Sequence, residues 1–231
     1  MVKIGGFQKV TLLDYPGKIA ATIFFAGCNF RCGFCHNPDL VEIKAKSKFI
    51  PEKEVLAYLK KRQGLLEAVC LGGGEPLLQT DLGKFLAPIK TLDYLIKIDT
   101  NGFNFKLLKE LIAQKLIDYI AMDIKSGADN YQAVTNSTLD FKNIKESIKV
   151  VMSSGLPYEF RTTILPKFHD LVEIEKIAKM IEGADNYFLQ NFRNRKTLDP
   201  SFKNERAFTD CKLAKLRQVA LKYVKNCQIR N

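Results

Sequence analysis

Short apolar runs rich in strand formers alternate with amphipathic segments of helical period along nearly the whole chain. Residues 19–25 (IAATIFF) read as a strand. A helix follows from Pro51, whose fixed φ suits a first turn and whose successors Val55, Leu56 and Leu59 share one face. Further strands are expected at 68–71, 95–99 (LIKID), 119–124 (YIAMDI), 158–165 (YEFRTTIL) and 186–192, and helices at 81–90, 105–115, 141–152, 171–181 and 211–224. Strands separated by helices build a parallel sheet with right-handed crossovers. Six such units are too few for the eight-fold barrel, which takes about 250 residues. The expected fold is therefore α/β, a partial, open (β/α)6 barrel over 19–231. Residues 1–18, with the turn signal Tyr15-Pro16-Gly17, are expected to form a short N-terminal hairpin. No linker, repeat or low-complexity segment divides the chain, so one domain is expected.

Hydrophobic residues make up 46% of the chain and charged residues 26%, enough apolar material for a sizeable core. The opening MVKIGGFQKV lacks the apolar run of a signal peptide, and no later run approaches a membrane span. A soluble, cytoplasmic protein without membrane contact is expected. Six cysteines in a reducing compartment argue against disulfides and for metal or redox chemistry. The net charge of +11 is uneven: from Gln190 onward, eleven Lys or Arg face three Asp or Glu. Such a surplus suits an acidic protein surface, nucleic acid or a merely solvated face. No nucleic-acid motif accompanies it, so a nucleic-acid partner is not expected.

In parallel α/β folds, chemistry gathers at the carboxyl ends of the strands. A cysteine-rich loop follows the first strand, and Gly73, Gly74 and Glu75 follow the second. Asp99, Thr100 and Asn101 end the third, and Asp123 and Lys125 the fourth. Arg161 and Thr163 lie in the fifth and Gln190 in the sixth. Singly, each has a structural use: the glycines as a tight turn, Asp99 and Asp123 as helix N-caps. Together they mark one rim as the candidate site.

The cysteine loop reads GCNFRCGFCHNP, which sets Cys28, Cys32 and Cys35 in a C-x3-C-x2-C array. Zinc sites use four ligands, and the nearby candidate for a fourth, His36, adjoins Cys35 and is badly placed to close a tetrahedron. A cubic iron–sulfur cluster ordinarily takes four thiolates; held by three, it leaves one iron with an open position. Spacing alone leaves open such a cluster, a zinc site or buried thiols. Cys70, Cys211 and Cys227 stand apart and are expected to be core thiols. His36 is expected to hydrogen-bond within its loop, and His169 to cap the next helix or face solvent.

The array, followed by Gly73-Gly74-Glu75-Pro76, resembles the radical S-adenosylmethionine enzymes, and the likeness runs through nearly the whole chain. Phe7-Gln8-Lys9, Asp14-Tyr15-Pro16-Gly17-Lys18 and His36-Asn37-Pro38 are similar to the anaerobic ribonucleoside-triphosphate reductase activating proteins. Asp99-Thr100-Asn101-Gly102 and Asp123-Ile124-Lys125 are similar to segments of pyruvate formate-lyase activating enzymes. The resemblance implies that Cys28, Cys32 and Cys35 hold a [4Fe–4S] cluster whose open iron chelates the methionine part of S-adenosylmethionine. It places Phe34 against the adenine, and Gly73, Gly74 and Glu75 at the methionine ammonium. Asp123 and Lys125 would lie near the sulfonium and the cofactor carboxylate. Thr100 and Asn101 would make polar contacts, and Arg161 and Thr163 would face the ribose and adenine. No side chain is expected to be catalytic beyond the cluster and cofactor. Gly72 departs from the Thr or Ser common before Gly-Gly-Glu, and Gln190 stands where some activating enzymes place a histidine.

The implied reaction begins with an external one-electron donor, such as flavodoxin or ferredoxin, that reduces the cluster. Cleavage of the cofactor then gives methionine and a 5′-deoxyadenosyl radical, which takes a Cα hydrogen from a glycine of a partner glycyl radical enzyme. Anaerobic ribonucleotide reductase is the expected partner. The alternatives are an activase of the pyruvate formate-lyase type and a small-molecule radical enzyme like 7-carboxy-7-deazaguanine synthase. An iron–sulfur electron carrier and a basic nucleic-acid-binding module are the non-enzymatic readings.

Overall fold

Each apolar run becomes a strand of one curled sheet. The computed structural model describes residues 1–231. Strands β1 (Ile4–Thr11), β2 (Ala20–Phe25), β3 (Ala68–Gly73), β4 (Leu95–Thr100), β5 (Tyr119–Asp123), β6 (Tyr158–Ile164), β7 (Tyr187–Asn191) and β8 (Cys227–Arg230) lie side by side in chain order. Helices α1 (Pro38–Val41), α2 (Glu52–Lys61), α3 (Leu82–Lys90), α4 (Phe105–Ala113), α5 (Tyr131–Thr135), α6 (Lys142–Met152), α7 (Leu171–Met180) and α8 (Asp210–Ala220) fill the connections. From β2 onward every pairing is parallel. This is the partial α/β barrel that the alternation predicts. No helix is long and apolar enough to cross a membrane.

Two features differ from the expectation. Residues 1–18 form no hairpin of their own: β1 pairs antiparallel with β2, so the hairpin's second arm is the barrel's first parallel strand. The Tyr15-Pro16-Gly17 turn, closed by Lys18 N donating to Tyr15 O at 3.3 Å, lies in the connection between them. At the other end, β8 adds a seventh parallel strand. Its four residues, CQIR, are too few for any period to stand out in the sequence.

Strand parity sorts the side chains. One parity (Ile23, Phe25, Val69, Leu71, Ile96, Ile98, Ile120, Met122, Phe160 and Leu189) is buried in the main core with helix residues such as Leu86, Leu108, Ile148, Ile177 and Leu216. The other parity faces the barrel interior. At the strands' amino ends, Tyr15, Ala20, Ala68 and Cys70 form a separate small apolar plug, against which Leu95 and Tyr119 pack. Further along, the interior holds Lys97, Asp99, Asp123, Glu159 and Arg161, and it opens at the carboxyl ends into a cavity. Cys70 and Cys227 are buried as expected, whereas Cys211 is exposed. It lies in the first turn of α8, on the side opposite Leu213, Leu216 and Ala220, which carry that helix's packing.

Candidate active site

The cysteine loop is pinned by backbone hydrogen bonds from several elements. Gly27 N donates to Leu40 O (2.7 Å) and Cys28 N to Val41 O (3.0 Å), which folds the last two residues of α1 against the loop's start. Arg31 N donates to Thr135 O (2.8 Å), and the Arg31 guanidinium donates to Cys28 O (2.5 Å) and Phe30 O (3.0 Å). Cys35 N closes a turn onto Cys32 O (3.0 Å), and Asp199 N donates to Gly33 O (2.9 Å). Phe34 is held by Phe168 and Phe202, with centroids 6.0 and 6.1 Å away. The three thiols are thereby set around one cavity of about 240 Å³, and none is in a disulfide.

The end of β3 presses against this loop because two residues there lack side chains. Gly73 has φ +102°, and a Cβ on it would come within 2.7 Å of Phe25 N and O. A Cβ on Gly74 would collide with the Gly27 carbonyl. Gly74 N donates to Phe25 O and Glu75 N to Gly27 O, both at 2.8 Å. Glu75, 1% exposed, ties β3 to β4. It accepts from Leu77 N at 3.0 Å, Thr100 Oγ1 at 2.6 Å and Asn101 N at 2.7 Å. Burial pushes its carboxyl up to about 7, against the pull of those three donors. Three bonds leave about one acceptor position free for a cation.

A ladder of charges crosses the interior below the cavity. Arg161 donates through Nε to Asp123 (2.8 Å) and through a terminal nitrogen to Asp99 (3.1 Å). Lys125 pairs with Asp123 at 2.9 Å, and Lys97 pairs with Asp99. Burial works against ionising Asp99 and Asp123, but the cations beside them win, so both carboxyls stay below their usual range. The same partners overcome burial at Lys125 and Arg161 and hold both more basic than usual. Behind this ladder, Glu159 accepts two hydrogen bonds from Arg230, one on each oxygen (2.8 and 2.8 Å), and that guanidinium lies 3.5 Å from the Phe188 ring centroid.

The donor set fits an iron–sulfur cluster. No three His, Cys, Asp or Glu side chains converge tightly enough to hold a single metal ion. Cys28, Cys32 and Cys35 all line the one cavity, whose volume has room for a polynuclear group held by three thiolates. Burial raises the Cys28 and Cys32 thiols to about 12 and about 11, a cost that a bound multivalent iron group offsets by stabilising the thiolates. Next to Cys28, the buried Asn29 Nδ2 has no protein partner and is left as a donor. At Gly72 a Cβ would meet nothing nearer than Asp99 Cβ at 3.9 Å, so the missing side chain leaves the cavity open there.

All thirteen predicted residues line this single cavity: Cys28, Cys32, Phe34, Cys35, Gly73, Gly74, Glu75, Thr100, Asn101, Asp123, Lys125, Arg161 and Thr163. Gln190 does not line it. It sits one strand further on, in register with Thr163 and Arg230. His169 neither caps α7 nor faces solvent; it is 1% exposed, and Asp170 caps the helix. Asp99 and Asp123 are ion-pair partners and not N-caps; Asn104 caps α4. His36 hydrogen-bonds outside its loop: its Nε2 lies 2.9 Å from Arg193 O, just after β7, while its ring stacks on Phe192. The cavity also takes Asp14, Thr22, Phe24, Asn37 and Val41, which the motifs did not single out as site residues. Counting β2 in twos from Ala20 finds Thr22 and Phe24. Asp14 comes from the β1–β2 connection, which the fold lays over the interior, where its carboxylate accepts a hydrogen bond from the Thr22 hydroxyl.

Comparison with known proteins agrees with this geometry. The Radical SAM superfamily matches residues 22–181. MJ1227 of Methanocaldococcus jannaschii, provisionally named a glycyl-radical enzyme activating enzyme, is 33% identical over 233 residues, covering 98% of this chain and 95% of that protein. The pyruvate formate-lyase-activating enzyme of Clostridium pasteurianum is 31% identical over 193 residues, 80% of this chain and 79% of its own length. Among solved structures, Streptococcus suis SuiB bound to S-adenosylmethionine superposes with a TM-score of 0.68 at 16% identity, a likeness of fold. It covers 88% of this chain but 48% of SuiB, so the chain spans about half of that protein. With most of its length matched by the family and nearly all of it by MJ1227, the chain belongs to the radical SAM superfamily and is a radical SAM enzyme.

Proposed function

We propose that this chain installs a glycyl radical on an anaerobic ribonucleoside-triphosphate reductase, using electrons from a flavodoxin- or ferredoxin-type donor. The observation that carries the activase reading is the likeness to a glycyl-radical enzyme activating enzyme over 98% of the chain. The reductase as target is supported by Phe7-Gln8-Lys9, Asp14 to Lys18 and His36-Asn37-Pro38. A macromolecular substrate is supported by the fold: β1 and β8 end the sheet without pairing to each other, so one flank is open to a partner's loop.

In this reading Cys28, Cys32 and Cys35 hold the cluster. Glu75 and the backbone at Gly73 and Gly74 receive the methionine ammonium, where a carboxylate and carbonyl oxygens suit a cation. Thr100 and Asn101 hold Glu75 in place, as their bonds to it support. Lys125, kept cationic by Asp123, meets the cofactor carboxylate. Phe34 walls the adenine, and Arg161 and Thr163 face the ribose side. When bound, the cluster and S-adenosylmethionine supply one-electron cleavage chemistry that ends in removal of a glycine Cα hydrogen. The protein's share is to place the cofactor against one C–H bond and keep water out.

The test mixes reduced, reconstituted enzyme, S-adenosylmethionine and the host's candidate glycyl radical proteins, and records electron paramagnetic resonance spectra. A glycyl doublet is expected on the reductase. It should lose its main splitting when the glycine α-hydrogens are deuterated, form more slowly at high salt, and be absent with Cys32→Ala. A doublet on a formate-lyase-type partner alone would move the target; no doublet on any candidate, with a metabolite consumed, would overturn the activase reading.

A further inference from the structure

Lys125 lines the cavity two residues after β5 ends, and the bonds that hold its backbone come from elsewhere in the fold. His169 Nε2 lies 3.1 Å from Lys125 O, while its Nδ1 accepts from Leu165 N at 3.1 Å. A backbone N–H can only donate and a carbonyl only accept, so the ring carries its proton on Nε2 and none on Nδ1. Burial lowers the imidazole's basicity and keeps this neutral form. The ring is 1% exposed and takes no part in lining the cavity.

A second anchor lies one helical turn on. Asp170-Leu171-Val172-Glu173 has the spacing of a capping box, in which the fourth residue's carboxylate returns to the cap's backbone N–H. Asp170 performs its half, accepting from Glu173 N at 2.8 Å. Glu173 does not return. Its buried carboxylate accepts instead from Gly127 N at 2.7 Å, from Asn130 Nδ2 at 3.0 Å and from the Ser126 hydroxyl. A carboxylate and an imidazole are expensive groups to bury, and apolar contact would join α7 to this loop more cheaply. What hydrogen bonds add is direction: they fix the two peptide planes that flank Ser126, Lys125–Ser126 through the Lys125 carbonyl and Ser126–Gly127 through the Gly127 N–H.

We propose that His169 and Glu173 are positioning residues that set where Lys125 stands over the cavity. Lys125 is then held at both ends, its backbone by His169 and its ammonium by Asp123. The bearing on cofactor affinity rests on the reading of the cavity given above; the clamp itself does not. His169→Gln and His169→Asn separate the two ring bonds, because a glutamine amide nitrogen takes the place of Nε2 and an asparagine amide oxygen that of Nδ1. Glutamine keeps the donor to Lys125, and asparagine keeps the acceptor for Leu165. In the reconstituted full chain, S-adenosylmethionine titration is expected to show about a tenfold loss for His169→Asn and less than about threefold for His169→Gln. In the cofactor-free chain, amide exchange at Ser126 and Gly127 should quicken in the asparagine variant alone. Nitrogen-15 NMR should find the wild-type imidazole proton on Nε2. Equal losses in both variants, loss in glutamine alone, no loss in either, or losses that only follow the fall in Tm would each overturn the proposal. A wild type that binds no S-adenosylmethionine would fail the cavity reading instead, and the exchange pattern would still decide the clamp.

Discussion

Burial pushes the Glu75 carboxyl up to about 7 although Leu77, Thr100 and Asn101 all donate to it. Two consequences follow at this residue. Its folded value lies above the ordinary 4.5, so its stabilising contribution is complete below pH 4.5 and is lost as pH rises through about 7. Denaturant titrations of cofactor-free protein should therefore show wild type losing up to about 3 kcal/mol relative to Glu75→Gln between pH 5 and 8. A difference that stays flat with pH would refute this. An ammonium brought to the carboxylate lowers its pKa, so S-adenosylmethionine binding near pH 7 should release a proton. Calorimetry in buffers of different ionisation enthalpy reads that proton directly. Glu75→Gln should release none and bind roughly ten- to a hundred-fold more weakly.

Arg161 is the member of β6 that links β4 to β5, through Asp99 and Asp123. Removing one partner from a buried network leaves the other charges uncompensated, at about 3–5 kcal/mol. Asp99 and Asp123 keep 31% and 23% exposure, so solvent screens part of that. Arg161→Met is expected to cost roughly 2–3 kcal/mol in a denaturant melt. The sign of its pH response is fixed by Asp123, whose carboxyl lies below its ordinary 3.8 because Arg161 and Lys125 outweigh burial. That stability is present above pH 3.8 and lost as pH falls below it, so the variant's deficit should shrink in acid. A deficit unchanged down to pH 3 would show that the pairing contributes nothing to folding.

The molecule as a whole is a barrel left open between its two edge strands, and β8 is tied in by side chains as well as by its ladder. Arg230 reaches past β7 to Glu159 on β6, a carboxylate whose side chain is 2% exposed. Arg230→Met should leave that carboxylate with the Tyr119 hydroxyl at 3.2 Å and Arg161 as its one remaining cation at 3.8 Å, destabilise the fold by roughly 2–4 kcal/mol and free β8 to exchange its amides. Unchanged protection along β8 would mean the ladder suffices. The same end of the chain carries the surplus of positive charge, eleven basic residues against three acidic from Gln190 onward. Long-range attraction to an acidic partner surface acts on the encounter rate and fades as salt screens it, which is why salt slows the expected appearance of the glycyl doublet.

Much of this is legible in the amino-acid sequence itself. Strand and helix periods are local, so residues such as Ile96 and Ile98, or Leu213 and Leu216, announce their element from their own spacing. The three cysteines and Gly73-Gly74-Glu75 could be read because their chemistry needs neighbours close in sequence. Parallel order then put the carboxyl ends of β2 to β8 on one rim, and the thirteen predicted residues meet there. The sequence was silent where a role depends on contacts distant along the chain. Asp99 and Asp123 look like caps until Arg161, 62 and 38 residues away, claims them. His169 looks like a cap or a surface residue until it is found 44 residues from the Lys125 carbonyl it holds. Residue type and spacing determined which chemistry the chain can carry; the closing of the sheet decided which charges neutralise one another and which groups hold the site still, because burial and pairing are properties of the folded interior.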